Sequence, residues 1–161
     1  MPWTWIIPEG AMVSPSGTVL THGYSGHGPG IDSVAAIGEV NIGPLPCGPN
    51  GTPGEYTIGP MLPNAEPGPL HHLGPSISQL IPSPAQRAFI MSLGRDPDSF
   101  YCHGGVAGEV ATPTPGFPAP TGSEGCIVLI PVARMVVLQS SDRQLLCVPA
   151  APNPAATSPI T

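Results

Sequence analysis

The sequence predicts a mainly β fold: one compact domain of short strands, with one or two short helices and long Pro/Gly-rich loops. Hydrophobic residues make up 40% of the chain, only 9% are charged, and the mean hydropathy is +0.17, which favours a folded chain over a disordered one. The 161 residues include 21 glycines and 25 prolines, which predict many turns and strand boundaries. The apolar segments between these turns are short, as strands are.

Strands are predicted where short apolar or alternating runs are bounded by turn residues. In chain order these runs are residues 3–7, 11–13, 18–21, 55–58, 76–81, 99–103, 127–130 and 143–148. The turn at residues 14–17 joins the second and third runs, which together have the signature of a hairpin. The run at 127–130 is apolar throughout, so we expect it in the core.

The remaining segments are predicted to be helices or loops. Residues 22–30 form a glycine-rich loop through which we expect no strand or helix to run. Residues 84–91 fit a short helix or a strand, and both stay open. Pro131 suits the first turn of a helix, which predicts a helix over 132–138. We place the domain at 1–148 and expect the Pro/Ala-rich tail, 149–161, to be mobile.

Charge excludes several classes of function. The chain has no lysine, four arginines and a formal net charge of −6, so binding to nucleic acid or to an anionic membrane surface has no electrostatic basis. No apolar run approaches the length of a membrane span. The N-terminus lacks a basic start followed by a long apolar stretch, so we expect synthesis in the cytoplasm without a signal peptide.

Metal and cofactor sites are not expected. The histidines outside position 103 lack the spacing of zinc ligands, and the glycine loop lacks the lysine of a phosphate cradle. The four cysteines, at positions 47, 102, 126 and 147, are widely and irregularly spaced. This spacing gives no paired framework, and the disulfide status of Cys47, Cys102 and Cys147 stays open.

Two segments carry candidate catalytic residues, His103 before Gly104-Gly105 and Cys126 after Ser123-Glu124-Gly125. A thiol attacks only as thiolate, so a nucleophilic cysteine needs a base beside it, and His103 is placed to be that base. Gly125 allows a sharp turn with backbone N–H groups able to hold an oxyanion, and Ser123 and Gly104 would support it. We expect an imidazolium–thiolate pair at rest. The plain alternative is a buried apolar cysteine and a structural histidine.

These segments resemble the active-site signature of the L,D-transpeptidase-like effectors of type VI secretion systems, distant relatives of the YkuD-type L,D-transpeptidases. The resemblance covers about residues 5–148 and rests on several ordered motifs. They are Gly23-Tyr24-Ser25-Gly26, Asn41-Ile42-Gly43-Pro44-Leu45-Pro46, Gly54-Glu55-Tyr56-Thr57-Ile58-Gly59, Gly94-Arg95, Phe100-Tyr101-Cys102-His103-Gly104-Gly105, Ser123-Glu124-Gly125-Cys126-Ile127-Val128-Leu129 with Arg134, and Ser141-Asp142-Arg143. One departure is Glu124, where YkuD-type enzymes carry histidine.

The resemblance implies an L,D-transpeptidase-like β domain that acts on peptidoglycan stem peptides without a cofactor. Cys126 would attack the carbonyl between the L-centre of meso-diaminopimelate and D-alanine, and His103 would be the general base. Substrate binding would involve Arg134, Arg95 and Tyr24, and either arginine could instead hold a loop. The resemblance further implies delivery to the periplasm of a target cell, with a delivery or immunity protein as partner.

Two other classes of function stay open. The Pro-rich loops, low charge and apolar tail also suit a structural protein of a phage virion or secretion apparatus, in which the same domain serves assembly and the site is vestigial. A cell-wall-binding module without turnover is the third class.

Overall fold

A computed structural model describes residues 1–62, 76–104 and 124–151. The strands in these ranges are β1 (Trp3–Ile6), β2 (Ala11–Val13), β3 (Val19–His22), β4 (Tyr24–Ser25), β5 (Gly54–Ile58), β6 (Ser78–Pro82), β7 (Tyr101–His103), β8 (Ile127–Val128) and β9 (Gln144–Val148). The helices are α1 (Pro84–Ser92) and α2 (Pro131–Gln139). Short 3₁₀ turns lie at Ile7–Glu9, Gly28–Gly30, Val34–Ala36 and Pro49–Gly51. The predicted mainly β fold with one or two short helices is confirmed.

The described strands form one mixed sheet in the order β3-β2-β1-β9-β5-β6-β7-β8-β4. The pairs β1–β9 and β7–β8 are parallel, and the other pairs are antiparallel. The two end strands, β3 and β4, are separated in sequence by Gly23 alone. The sheet therefore curls until its ends meet at this residue, and it is nearly barrel-shaped.

The hydrophobic core lies against the inner face of this curled sheet. Its largest fully buried side chains come from strands, loops and α1 and include Trp5, Phe100, Met12, Leu45, Ile58, Leu80, Ile90, Ile127, Leu129 and Leu145. Three of the four cysteines, Cys47, Cys102 and Cys147, belong to the same cluster. The strands β7 and β8 therefore both contribute side chains, Cys102 and Ile127, to one continuous core.

The segment at 84–91, for which helix and strand were both open, is the helix α1. Its N-terminus is capped by Ser83, whose side chain accepts a hydrogen bond from the Gln86 backbone N–H at 3.3 Å. Pro84 occupies the first turn, where a missing N–H costs nothing. The Gln86 side chain is buried and donates to the carbonyl oxygens of Pro46 and Cys47, which ties α1 to the neighbouring loop.

The prediction that no strand or helix runs through residues 22–30 is wrong. Tyr24 and Ser25 form β4, which pairs with Val128 and Ile127 of β8. Gly28–Gly30 form a 3₁₀ turn. The physical reason is close approach at Gly23: a Cβ there would overlap the Val128 carbonyl oxygen and lie 2.8 Å from Leu129 Cδ2.

Of the tail expected at 149–161, residues 152–161 lie outside the described residues. Residues 63–75, which lie between two of the predicted strands, are also outside the described residues.

We predict that Gly23→Ala lowers the free energy of unfolding by about 2 kcal/mol, because the added methyl group has to displace the backbone of β8 where the sheet closes. Urea unfolding followed by circular dichroism measures this change. The control is Gly38→Ala, whose new Cβ would meet only Leu93 Cδ2 at 3.7 Å. Equal stabilities of the two variants would contradict the close approach at Gly23.

Candidate active site

His103 and Cys126 lie at two neighbouring strands. In the parallel pair β7–β8, Cys102 is opposite Ile127 and His103 is opposite Val128. Cys126 lies just before β8 and directly precedes Ile127, so strand alternation continued by one residue would put it on the face of His103 and away from the core face of Cys102. We call this the site face. Standard strand spacings put the α-carbons of His103 and Cys126 roughly 8 Å apart, a separation that an imidazole and a thiol can span.

The His103 ring is held in one orientation by its own turn. It is 7% exposed, and its Nδ1 lies 2.6 Å from the carbonyl oxygen of Gly104. Because a carbonyl oxygen only accepts hydrogen bonds, Nδ1 carries the proton in this contact. In the neutral ring the basic nitrogen is then Nε2, which is the arrangement a general base needs.

Cys126 is 6% exposed and is surrounded by backbone groups. The Tyr101 backbone N–H donates to its Sγ at 3.3 Å, and the thiol lies 3.6 Å from the Ser99 carbonyl oxygen as a donor. Burial raises the pKa of Cys126 to about 12, and the Tyr101 N–H lowers that pKa in part. Glu124 raises the pKa further and Arg95 lowers it. The thiol is therefore neutral near pH 7 in this structure, which differs from the thiolate expected at rest.

Gly125 makes the turn that presents Cys126. Its φ of +106° lies in the region that favours glycine, and a Cβ would lie 2.6 Å from Phe100 Cε1 and overlap the Arg95 guanidinium. Both the backbone angle and the space therefore require glycine at this position.

Arg95 holds the loop that contains this turn. Its guanidinium is 5% exposed and donates to four carbonyl oxygens. They belong to Ile37 at 2.7 Å, Pro44 at 2.7 Å, Gly43 at 2.9 Å and Glu124 at 3.1 Å. The guanidinium carbon also lies 5.1 Å from the centre of the Phe100 ring. Of the two roles that stayed open for Arg95, these contacts support holding the loop.

Arg134, Gly104 and Tyr24 are packed around the same two strands. Arg134 is buried on α2 and donates from Nη1 to the Leu129 carbonyl oxygen at 3.1 Å. A Cβ at Gly104 would lie 3.0 Å from Arg134 Cζ, so the guanidinium packs directly against the residue that follows His103. Tyr24 is buried opposite Val128, on the site face. Ser123 and Gly105 lie outside the described residues, as do His71 and His72.

Two residues near the turn were not singled out from the sequence. Ser25 appeared only within a motif, and its hydroxyl contacts the Gly125 carbonyl oxygen at 3.2 Å. No motif or pattern in the sequence pointed to Asp32. Its Oδ1 accepts a hydrogen bond from the Ser25 backbone N–H at 2.9 Å. Only the positive φ of +50° at Asp32, typical of Asn and Asp in turns, marks that position as special, and it is visible only in the structure.

The described residues give no indication of bound metal or of a disulfide. Within residues 1–62, 76–104 and 124–151, no three His, Cys, Asp or Glu side chains are grouped as metal ligands. Cys47, Cys102, Cys126 and Cys147 are all free thiols. Neither of the described helices is both long and apolar enough to cross a membrane.

Comparison with known proteins leaves the site to be interpreted from its own geometry. No protein-family model, no curated protein and no solved structure matches the chain. What the fold and the site define is a small β domain in which a histidine and a cysteine lie at two paired parallel strands.

We predict that Arg95→Lys lowers the free energy of unfolding by about 2 kcal/mol or more, because a lysine ammonium cannot satisfy four carbonyl oxygens spread around a planar guanidinium. Urea unfolding measures the loss. The control is Arg87→Lys, because Arg87 forms a salt bridge with Asp98 on the surface, and we expect little change in stability there. Similar losses in both variants would contradict the role given to Arg95.

We predict that Asp32→Asn stabilises the protein at pH 8 by at least about 1 kcal/mol and has much less effect at pH 4. Burial raises the pKa of Asp32 from 3.8 to about 7, against the lowering effect of the Ser25 N–H. Between these values the folded chain binds more protons than the unfolded chain, so stability falls as the pH rises from about 4 to 7. Asparagine keeps the acceptor for Ser25 and removes the charge. A stability difference independent of pH, in unfolding curves of both proteins, would refute this account.

Proposed function

We propose that the protein is a cysteine-dependent peptidoglycan L,D-carboxypeptidase or L,D-transpeptidase that acts on stem peptides at the bond between diaminopimelate and D-alanine. The observation that carries the proposal is the parallel pairing of β7, which ends at His103, with β8, which directly follows Cys126, together with the direction of His103 Nδ1 to the Gly104 carbonyl oxygen. The ordered motifs that resemble the L,D-transpeptidase-like effectors supply the substrate class.

The chemistry begins with transfer of the Cys126 proton to His103 Nε2. The thiolate attacks the carbonyl carbon of the L-centre, and backbone N–H groups at Gly125 and Cys126 hold the oxyanion. The C–N bond then breaks, and the imidazolium gives its proton to the departing D-alanine amine. A thioester on Cys126 remains. Water hydrolyses the thioester to give carboxypeptidase activity, and an amine of a D-amino acid or another stem gives exchange or transpeptidation.

In this proposal the proton transfer from Cys126 to His103 belongs within the catalytic cycle and not before it, because burial raises the pKa of Cys126. A thiol of pKa about 12 is protonated at rest, so the thiolate forms when substrate and His103 are both in place. The Tyr101 N–H, 3.3 Å from Sγ, is then a ready donor to the thiolate.

The proposal includes delivery to the periplasm of a target cell, with a delivery or immunity protein as partner.

One observation favours a second candidate, a structural protein of a virion or secretion apparatus. Three apolar side chains at and before α2 are exposed: Val132 at 75%, Val136 at 46% and Ile130 at 45%. Val132 and Val136 lie one turn apart on the same surface of α2, and such side chains suit packing against another protein. Size-exclusion chromatography together with thiol alkylation kinetics separates the candidates. An obligate oligomer with an inert Cys126 supports the structural role, and a monomer with a reactive Cys126 supports the enzyme.

We predict that the purified protein converts tetrapeptide muropeptides to tripeptides and that Cys126→Ala abolishes the conversion, because the variant lacks the nucleophile. Mass spectrometry of the digested sacculi measures the tetrapeptide and the tripeptide muropeptides. The matched control is Cys102→Ala, which removes a buried thiol from the other face of β7 and is expected to retain activity. A folded wild-type protein that leaves the sacculi unchanged would overturn the proposal, whereas binding without product would indicate a cell-wall-binding module.

A further inference from the structure

Ser25 joins three segments of the chain beneath the Cys126 turn. It is fully buried on β4, and its Oγ accepts from the Leu45 backbone N–H at 2.8 Å. A hydroxyl has one proton, and that proton is donated to the Gly125 carbonyl oxygen at 3.2 Å. The hydroxyl of Ser25 therefore both donates and accepts a hydrogen bond, and it connects β4 and the Leu45 segment to the turn before Cys126.

Asp32 fixes Ser25 in turn. Its Oδ1 accepts from the Ser25 backbone N–H at 2.9 Å, and its own N–H donates to the Ser25 carbonyl oxygen at 2.8 Å. Both backbone polar groups of Ser25 are thus satisfied by one residue seven positions along the chain. The Ser25 hydroxyl has little freedom to leave the Gly125 carbonyl oxygen.

The side from which Ser25 approaches determines the direction of a peptide N–H. Ser25 pairs with Ile127, so its side chain projects from the core face, opposite to the site face. The carbonyl oxygen that it binds belongs to the peptide group between Gly125 and Cys126. In a planar trans peptide the N–H points away from the C=O. With the Gly125 carbonyl held towards Ser25, the Cys126 N–H is directed away from Ser25 and from the core face.

We propose that Ser25 is a positioning residue: by holding the Gly125 carbonyl, it aims the Cys126 backbone N–H at the oxyanion that forms when Cys126 is acylated. The inference rests on the proposed function, in which Cys126 is the nucleophile. Arg95 holds the preceding Glu124 carbonyl at 3.1 Å, so two buried side chains fix two successive peptide groups. The effect that we assign to Ser25 reaches the reaction through the backbone, by way of the Gly125 carbonyl oxygen.

Two reagents that attack the same thiol by different routes test this inference. Acylation of Cys126 by p-nitrophenyl acetate passes through a tetrahedral oxyanion and releases p-nitrophenolate, whereas alkylation by iodoacetamide displaces iodide without an oxyanion. The ratio of the two rates at Cys126, read by peptide mass spectrometry, reports the oxyanion donor separately from the exposure and pKa of the thiol. We expect Ser25→Ala to lower this ratio about tenfold or more, since misdirection of a single donor costs on that order.

The matched control is Ser78→Ala. Ser78 is equally buried, and its hydroxyl donates to a glycine carbonyl, that of Gly59, but it pairs with Cys102 on the face away from Cys126. We expect this variant, and Ser25→Thr with its retained hydroxyl, to keep the ratio within about twofold. If Ser25→Ala does not fold, Ser25→Cys fills the same space with a weak donor and is expected to lower the ratio.

An unchanged ratio in Ser25→Ala, or in Ser25→Cys where Ser25→Ala does not fold, overturns the inference, and so does an equal fall in Ser78→Ala. A wild-type Cys126 that reacts with neither reagent overturns it as well. Stem peptides take no part in this measurement, so failure of the proposed function is seen separately as folded wild-type protein that leaves sacculi unchanged. Turnover of stem peptides together with an unchanged ratio would overturn the role of Ser25 alone.

Discussion

The buried guanidinium of Arg95 is the interaction on which the loops around Cys126 depend. A charge removed from water requires acceptors on every side, and Arg95 finds them in carbonyl oxygens of Ile37, Gly43, Pro44 and Glu124. These carbonyls belong to loops in which sheet hydrogen bonds are not available to them. One side chain therefore satisfies the backbone of two distant segments and holds them against Phe100. The turn at Gly125 can then keep its positive φ at a fixed place in the molecule.

This constraint explains how a chain so rich in glycine and proline builds a defined site. Proline removes backbone donors and glycine adds conformational entropy, so ladders between strands stay short, as in β4 and β8 with two residues each. Side chains from the core compensate. Arg95, Ser25 and Gln86 each bind carbonyl oxygens of segments far away in sequence, and each is buried. The irregular segments are thereby held by directed hydrogen bonds instead of by regular secondary structure.

The sequence predicted those parts of the fold that depend on local pattern. Apolar runs between turn residues gave most strands to within a few positions, and Pro131 marked the start of α2. The choice between helix and strand for α1 stayed open, because nine residues of mixed polarity fit either element. The hydrogen bond that caps the helix at Ser83 is seen only in the structure. The sequence missed β4 because that strand exists through the contact between Gly23 and Val128. For the same reason it named His103 and Cys126 but left the role of Arg95 open and gave none to Ser25, since the carbonyl partners of these two side chains are distant along the chain. Asp32 was missed although its partner Ser25 is only seven positions away, because neither residue forms part of a recognisable local motif with the other.

The burial of Cys126 follows from the same arrangement and bears on the chemistry that we propose. Holding the turn tightly against Arg95 and Phe100 excludes water from the thiol, and this exclusion raises its pKa to about 12. Exclusion of water also strengthens the interaction between backbone dipoles and the reacting atoms, because the field of these dipoles is less screened than in water. A neutral thiol is also less exposed to oxidation than a standing thiolate. In the chemistry that we propose, such a site combines a low resting reactivity with donors that are already oriented, and His103, with Nδ1 directed to Gly104, would supply the base that makes the thiolate when the substrate arrives.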